Sequence, residues 1–228
     1  NSKEEKDKGI ESEKEEKETS LDEEKIVGSL SVDEFSKDKY IQIITNRGTI
    51  KKSSLDKFIT NYSKLQASKL RANEEVVKVE IQNDENKFLK VKTELGLDFT
   101  VEIPNSLEDT PRNLLGYELF NLSSKDKVVS IEYTDDFNIN EFGVGVTSKG
   151  MLKYFSKVSK NDKLKINTNS KDELLMFTNK GNIIKISAFM LEEAIKNELQ
   201  ITNLVDNFAK GEKIISLYSI KEFDERYA

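Results

Sequence analysis

Leu174-Leu-Met-Phe-Thr178-Asn-Lys-Gly181-Asn-Ile-Ile-Lys-Ile186 decides how this chain is read. Two β-rich runs flank the tetrad Thr-x-x-Gly, and its glycine can take the positive φ that a hairpin bulge or primed turn needs. The pattern recurs in Tyr40-Ile-Gln-Ile-Ile-Thr45-Asn-Arg-Gly48, Phe88-Leu-Lys-Val-Lys-Thr93-Glu-Leu-Gly96 and Phe142-Gly-Val-Gly-Val-Thr147-Ser-Lys-Gly150. A second β-rich run follows each glycine, at 49–52, 97–103, 151–155 and 182–186. Gly48, Gly96, Gly150 and Gly181 are therefore read as the turn glycines of four hairpins.

Each hairpin is followed at a distance by a closing strand, at 74–81, 127–133, 162–166 and 212–218. Val77/Val79/Ile81 and Val129/Ile131/Tyr133 alternate with the period of two of a half-buried strand. The strand aromatics Tyr40, Phe88, Phe142, Phe177 and Tyr218 read as core. Four such units make an all-β, propeller-like array, because a single blade cannot bury both faces and its neighbours do so for it. The units span about 39–86, 87–138, 141–170 and 172–222, with a tail at 223–228. Successive turn glycines are 48, 54 and 31 residues apart, so the third unit has lost the segment between hairpin and closing strand. In the fourth unit that segment contains Phe189-Met-Leu-Glu-Glu-Ala-Ile-Lys196, a short-helix pattern with Ser187 as its cap.

Charge is distributed unevenly. The chain has 228 residues, 36 basic and 42 acidic, for a net charge of −6. Residues 1–38 hold 7 Lys against 14 Asp and Glu, leaving 29 basic and 28 acidic residues for 39–228. The first 20 residues have one large apolar side chain, Ile10, too little to offset the entropy of ordering. Residues 1–38 read as a flexible acidic linker, or alternatively as a segment competing with a polyanion for a basic face. The chain has no His, Cys or Trp. That excludes disulfide scaffolds, Cys- or His-based zinc sites, thiol nucleophiles and imidazole catalysis. No apolar run approaches the ~18 residues of a membrane span, and nothing resembles a signal peptide. The expectation is a piece of a larger cytoplasmic protein.

The block Asp172-Glu-Leu-Leu-Met-Phe-Thr-Asn-Lys-Gly-Asn-Ile-Ile-Lys-Ile186 resembles a blade of the C-terminal domain of the A subunit of bacterial type IIA topoisomerases, DNA gyrase and topoisomerase IV. Ile201-Thr-Asn-Leu-Val205 and Gly211-Glu-Lys-Ile-Ile215 are similar to that blade's second half. Residues 40–58 resemble another blade. The resemblance covers roughly 39–220, strongly in the first and fourth units and more weakly in the second and third. It implies a β-pinwheel of four-stranded blades that binds and bends duplex DNA beside a catalytic core. Such a domain uses no cofactor itself; ATP and Mg would act on other domains of the holoenzyme. Its partners would be double-stranded DNA, the catalytic core within its own polypeptide, and the ATPase B subunit, with no membrane. Its location would be cytoplasmic, at the nucleoid. The family usually has five or six blades, against four here. Gyrase carries a Gly-rich basic box in its first blade, whereas residues 61–71 here keep only Lys64, Lys69 and Arg71. That departure favours a topoisomerase IV-like role in relaxation and decatenation.

Phosphate binding needs cations on one surface rather than a catalytic constellation. The candidates are Arg47, Lys51, Lys52, Lys64, Lys69, Arg71, Lys149, Lys153, Lys180 and Lys185, with Lys157 and Lys160 nearby. The second hairpin carries Glu94, Asp98 and Glu102 and should not hold DNA. A protein-docking propeller without a DNA role is the alternative, and an enzyme domain a distant third. Gly143-Val-Gly145 is not a phosphate loop, because Met151-Leu152 rather than Lys-Ser/Thr follows Gly150. Asp135-Asp136 and Asn83-Asp84-Glu85 lack calcium-loop spacing. Arg226-Tyr227 lies outside any setting that would make it a topoisomerase nucleophile pair.

Overall fold

The computed structural model describes residues 24–83, 85–147, 151–155 and 164–221. Four antiparallel sheets are built on one plan, with the first strand of each hairpin at the centre. The first blade has β1 (Tyr40–Thr45) between β2 (Thr49–Ser54) and β3 (Val76–Ile81). The second has β4 (Phe88–Thr93) between β5 (Asp98–Glu102) and β7 (Val128–Thr134), with the two-residue β6 (Tyr117–Glu118) in the segment between them. The third has β8 (Glu141–Val146) between β9 (Leu152–Tyr154) and β10 (Lys165–Asn169). The fourth has β11 (Glu173–Thr178) between β12 (Ile183–Ser187) and β13 (Ile214–Ile220). Between β12 and β13 lie the helices α1 (Ala188–Lys196) and α2 (Ile201–Leu204).

The recurring threonine explains the hairpins. Thr45, Thr93 and Thr178 accept the turn glycine's N–H on their carbonyl at 3.0–3.2 Å. The Oγ1 of Thr45, Thr93, Thr147 and Thr178 then accepts the N–H four residues on, at 3.1–3.3 Å. The glycines take φ of +86° at Gly48 and Gly96 and +81° at Gly181. Gly150 lies outside the described residues.

The closing strands carry an irregularity that simple alternation misses. In three blades the register slips beside the threonine, between Ile44/Thr45, Lys92/Thr93 and Phe177/Thr178. One residue is left over each time, at Val77, Val129 and Ile215, which is a β-bulge. The expected alternation therefore changes phase: Val128 and Ile131 are buried while Val129 is 64% exposed. The strand aromatics are not fully buried either. Tyr40, Phe88, Phe142 and Phe177 are half-buried and Tyr218 is 54% exposed.

Four-stranded blades are expected, yet only the first sheet has four strands among the described residues. Its fourth is β6, which comes from the second repeat and pairs with β2 through Thr49↔Glu118 and Ile50↔Tyr117. The fourth repeat likewise reaches back to the third through the Met151↔Gln200 bridge. Each intervening segment thus completes the blade before it. Among the described residues the shortened third unit lays no strand on β5. Helix α1 takes its place, packing Phe189 on Phe99 at 4.8 Å between ring centres, and Asn197 donates to the Gly96 carbonyl at 3.0 Å. The helix falls where the pattern places it, but Ser187 does not cap it; its hydroxyl donates to Glu173 at 2.8 Å.

One apolar cluster runs through all four blades, from Ile44 and Ile50 through Leu89 and Val144 to Leu174, Met176 and Leu191. A second, smaller cluster of Ile41, Ile43 and Leu55 lies on the far face of the first blade, where Val32 also packs. The Asp56 N–H donates to the Ser36 carbonyl at 3.2 Å, so packed structure begins before residue 39.

Candidate nucleic-acid interface

The described candidate cations are not one rim. Arg47 is a bracket between blades: its guanidinium donates to the carbonyls of Asp126 at 2.6 Å and Leu122 at 2.8 Å. Lys51 is 1% exposed, and its Nζ donates to the carbonyls of Arg112 at 2.7 Å and Leu114 at 2.9 Å. The assignment of Lys51 to a DNA rim is therefore corrected, because its ammonium is spent on the segment that the second repeat folds back over β2. Burial, with Lys57 and Arg112 close by, pulls its pKa down to about 8.

Four others are engaged but accessible. Lys52 sits over the Tyr40 ring at 4.4 Å. Lys64 pairs with Glu24 at 2.6 Å, fully at the surface, where such a pair contributes little. Arg71 donates to Thr49 Oγ1 at 3.0 Å and lies 3.9 Å from Glu74. Lys185 is exposed on β12. Lys69, Lys153 and Lys180 are exposed and form no ion pair among the described residues. Lys149, Lys157 and Lys160 lie outside the described residues, as do Asp84 and Arg226-Tyr227.

The second blade neutralises its own lysines, as its carboxylates suggest. Asp98 lies 3.9 Å from Lys90 and 3.7 Å from Lys92, and Glu94 pairs with Lys127 at 3.1 Å. Gly143 and Gly145 stand within strand β8 rather than in a loop, and a Cβ on Gly145 would lie 2.3 Å from the Phe155 ring.

A repeated acid at the foot of the closing strand escapes a reading based on hairpins alone. Glu74 accepts the Thr45 hydroxyl at 2.7 Å and the Arg71 N–H at 2.7 Å. Glu212 accepts the Thr178 hydroxyl at 2.6 Å, the Ala209 N–H at 2.8 Å and the Asn182 amide at 2.7 Å. Asp126 holds the same place in the second blade, but one methylene shorter; it accepts the Leu95 N–H at 3.0 Å and leaves its other oxygen without a protein partner. The signal is an acid two residues before each of these closing strands, visible once the repeats are aligned there.

These bonds set a pH dependence. Burial pushes Glu74 up, but bonds from Thr49, Arg71 and Thr45 outweigh it and hold the carboxyl below the usual range. Glu212 is held down by the Thr178 hydroxyl first, then by Ala209 and Asn182. A carboxyl with a lowered folded pKa contributes stability that is complete above its ordinary pKa and is lost as pH falls through the lowered one. Glu74→Gln should cost about 1–2 kcal/mol near pH 7. Denaturant melts at stepped pH should show it losing less stability than the parent between about pH 5 and pH 3.

Among the described residues no three acidic side chains converge as a metal site, and no helix is long and apolar enough to cross a membrane. The family model described as the DNA gyrase C-terminal domain, beta-propeller, matches residues 39–83 and 172–221, the first and fourth blades. The A subunit of DNA topoisomerase 4 from Staphylococcus epidermidis is 24% identical over 204 residues, covering 89% of this chain and 21% of that protein. Its counterpart from Staphylococcus aureus is 27% identical over 133 residues, 58% of this chain and 16% of its own length. The chain thus spans about a fifth of these relatives. A solved C-terminal domain of DNA topoisomerase IV aligns with a TM-score of 0.43 and 19% identity, over 86% of this chain and 67% of that one. The similarity to the gyrase C-terminal β-propeller family model thus lies in the first and fourth blades, and the chain is similar to the A subunits of DNA topoisomerase 4 along most of its length.

Proposed function

We propose that this chain binds and bends duplex DNA as the non-catalytic C-terminal domain of a topoisomerase IV-like A subunit. The observation that carries this reading is the family match at the first and fourth blades, together with exposed lysines outside ion pairs at Lys69 and Lys180 in those blades and at Lys153 in the third. In the holoenzyme it would present DNA to the catalytic core of its own polypeptide, while ATP and Mg act on that core and on the ATPase B subunit, in the cytoplasm at the nucleoid. Relaxation and decatenation are favoured over negative supercoiling because residues 61–71 lack a Gly-rich basic box. The near-neutral charge of 39–228 supports modest affinity, ~micromolar at physiological salt. Bending costs a few kcal/mol, which contacts along the arc must offset.

The test is duplex binding titrated with salt. The Lys69→Glu/Lys153→Glu/Lys180→Glu variant should weaken binding to all duplex sequences alike and flatten the salt dependence. Equal binding by parent and variant would sink the assignment. No binding by the parent at ~50 mM salt would favour the protein-docking alternative.

A further inference from the structure

Cross-strand partners share a face. On the fourth blade, Leu175 pairs with Lys185 and Tyr218, and Phe177 pairs with Ile183 and Ser216. These residues form one face, while Leu174, Met176, Ile184 and Leu217 face the core on the other. Tyr218 is 54% exposed and Ile183 60%, and the Tyr218 and Phe177 rings meet edge-on at 5.7 Å. Lys185 lies within the face, with exposed Lys180 and Lys213 at its turn end. Among the described residues its one carboxylate is Glu173, which accepts the Ser187 hydroxyl.

The corresponding faces of the other blades show that this one is unusual. The first blade's is covered by the second, whose Tyr133 hydroxyl reaches Gln42. The third blade's is covered by the fourth through Thr168 and Ser219, 2.9 Å apart. The second blade's is mostly polar, with Lys90, Lys92, Asp98, Thr100, Ser130 and Glu132, and its Phe88 is stacked on Phe137 at 4.7 Å. Among the described residues nothing covers the fourth blade's, which presents the exposed Tyr218 ring with Phe177 and two aliphatics among three lysines.

We propose that this face of the fourth blade binds single-stranded nucleic acid. Sequence-tolerant strand binding needs a positive surface for the backbone and exposed rings on which bases stack. Here Tyr218 supplies the exposed ring, Phe177 supports it edge-on, and Lys180, Lys185 and Lys213 complement phosphates. A duplex hides the faces of its bases and cannot use Tyr218, so the ring distinguishes this site from the duplex contacts proposed above, with Lys180 at the edge common to both.

The test is fluorescence anisotropy of the purified chain with a labelled oligo(dT) of about 15 nucleotides, beside a duplex of equal length. Tyr218→Ala should weaken oligo(dT) binding about tenfold and leave duplex binding unchanged, while Tyr218→Phe keeps binding because stacking needs the ring and not the hydroxyl. Lys185→Glu should weaken oligo(dT) binding and its salt dependence. Matching thermal melts would show that the variants are folded. Unchanged oligo(dT) affinity in Tyr218→Ala would overturn the proposal. So would concentration-dependent self-association that Tyr218→Ala abolishes, with no oligo(dT) bound, since the face would then be a protein interface. Loss of oligo(dT) binding in a Lys69→Glu/Lys153→Glu variant, which leaves the fourth blade intact, would overturn the distinction between the two sites.

Discussion

Gly48→Ala should lower the melting temperature by about 10 °C, whereas Gly181→Ala, at the same place in the fourth hairpin, should lower it by only about 3 °C. The two glycines have nearly the same backbone, φ +86° and +81°. Each therefore costs an alanine about 1 kcal/mol in the left-handed region. What differs is the space around them. A Cβ on Gly48 would lie 2.5 Å from the Phe120 carbonyl oxygen and 2.6 Å from its ring, while a Cβ on Gly181 meets nothing within 4 Å. Phe120 is 3% exposed and belongs to the central cluster, so it cannot yield cheaply. Overpacking of this kind adds about 1–3 kcal/mol. Calorimetry of the two variants side by side checks the prediction. Equal shifts would mean that the first turn is not pressed against the second repeat.

Lys51→Ala should destabilise the chain by about 3–5 kcal/mol, and Lys51→Met by about 1–2 kcal/mol. Alanine removes a buried four-carbon stem and strands two carbonyls, those of Arg112 and Leu114. Methionine refills the volume and removes a charge that is costly to bury, leaving only the carbonyls unmet. The pH dependence supplies a second signature. The unfolded chain keeps the Lys51 proton up to the ordinary value of 10.5, while the folded chain releases it at about 8. Between those values the unfolded state binds more protons, so stability rises with pH. Denaturant melts from pH 7 to pH 10.5 should show that rise in the parent and a smaller one in Lys51→Met. A parallel pair of curves would mean that Lys51 titrates as a surface lysine.

The contrast between these two residues shows what the sequence can carry. The hairpins are legible because Thr-x-x-Gly is local: the threonine, the glycine and the bonds between them lie within five residues. Helix α1 is legible for the same reason. Lys51 and Arg47 are not, because what buries or engages them is residues 112–126, which belong to the next repeat. Nothing in Lys51-Lys52 says which of the two turns inward. The bulge at Val129 likewise depends on a register that only pairing with Lys92 and Thr93 reveals. The acids Glu74 and Glu212 lay within reach, since their spacing from the closing strands repeats. The exposure of Tyr218 did not, because whether a strand aromatic is covered depends on which blade stacks against it.

The backward reach of β6 has a consequence for synthesis. A chain leaving the ribosome makes all three of its own first-blade strands before Tyr117 and Glu118 exist. Until those two residues emerge, the outer rim of β2 has open hydrogen-bonding groups, and Lys51 lacks the carbonyls that receive it. At about 5–20 residues per second that interval is several seconds. During it, two nascent copies on one message could zip together rim to rim. Translation pauses placed before residue 117 should therefore raise aggregation of this chain, and pauses placed after it should not.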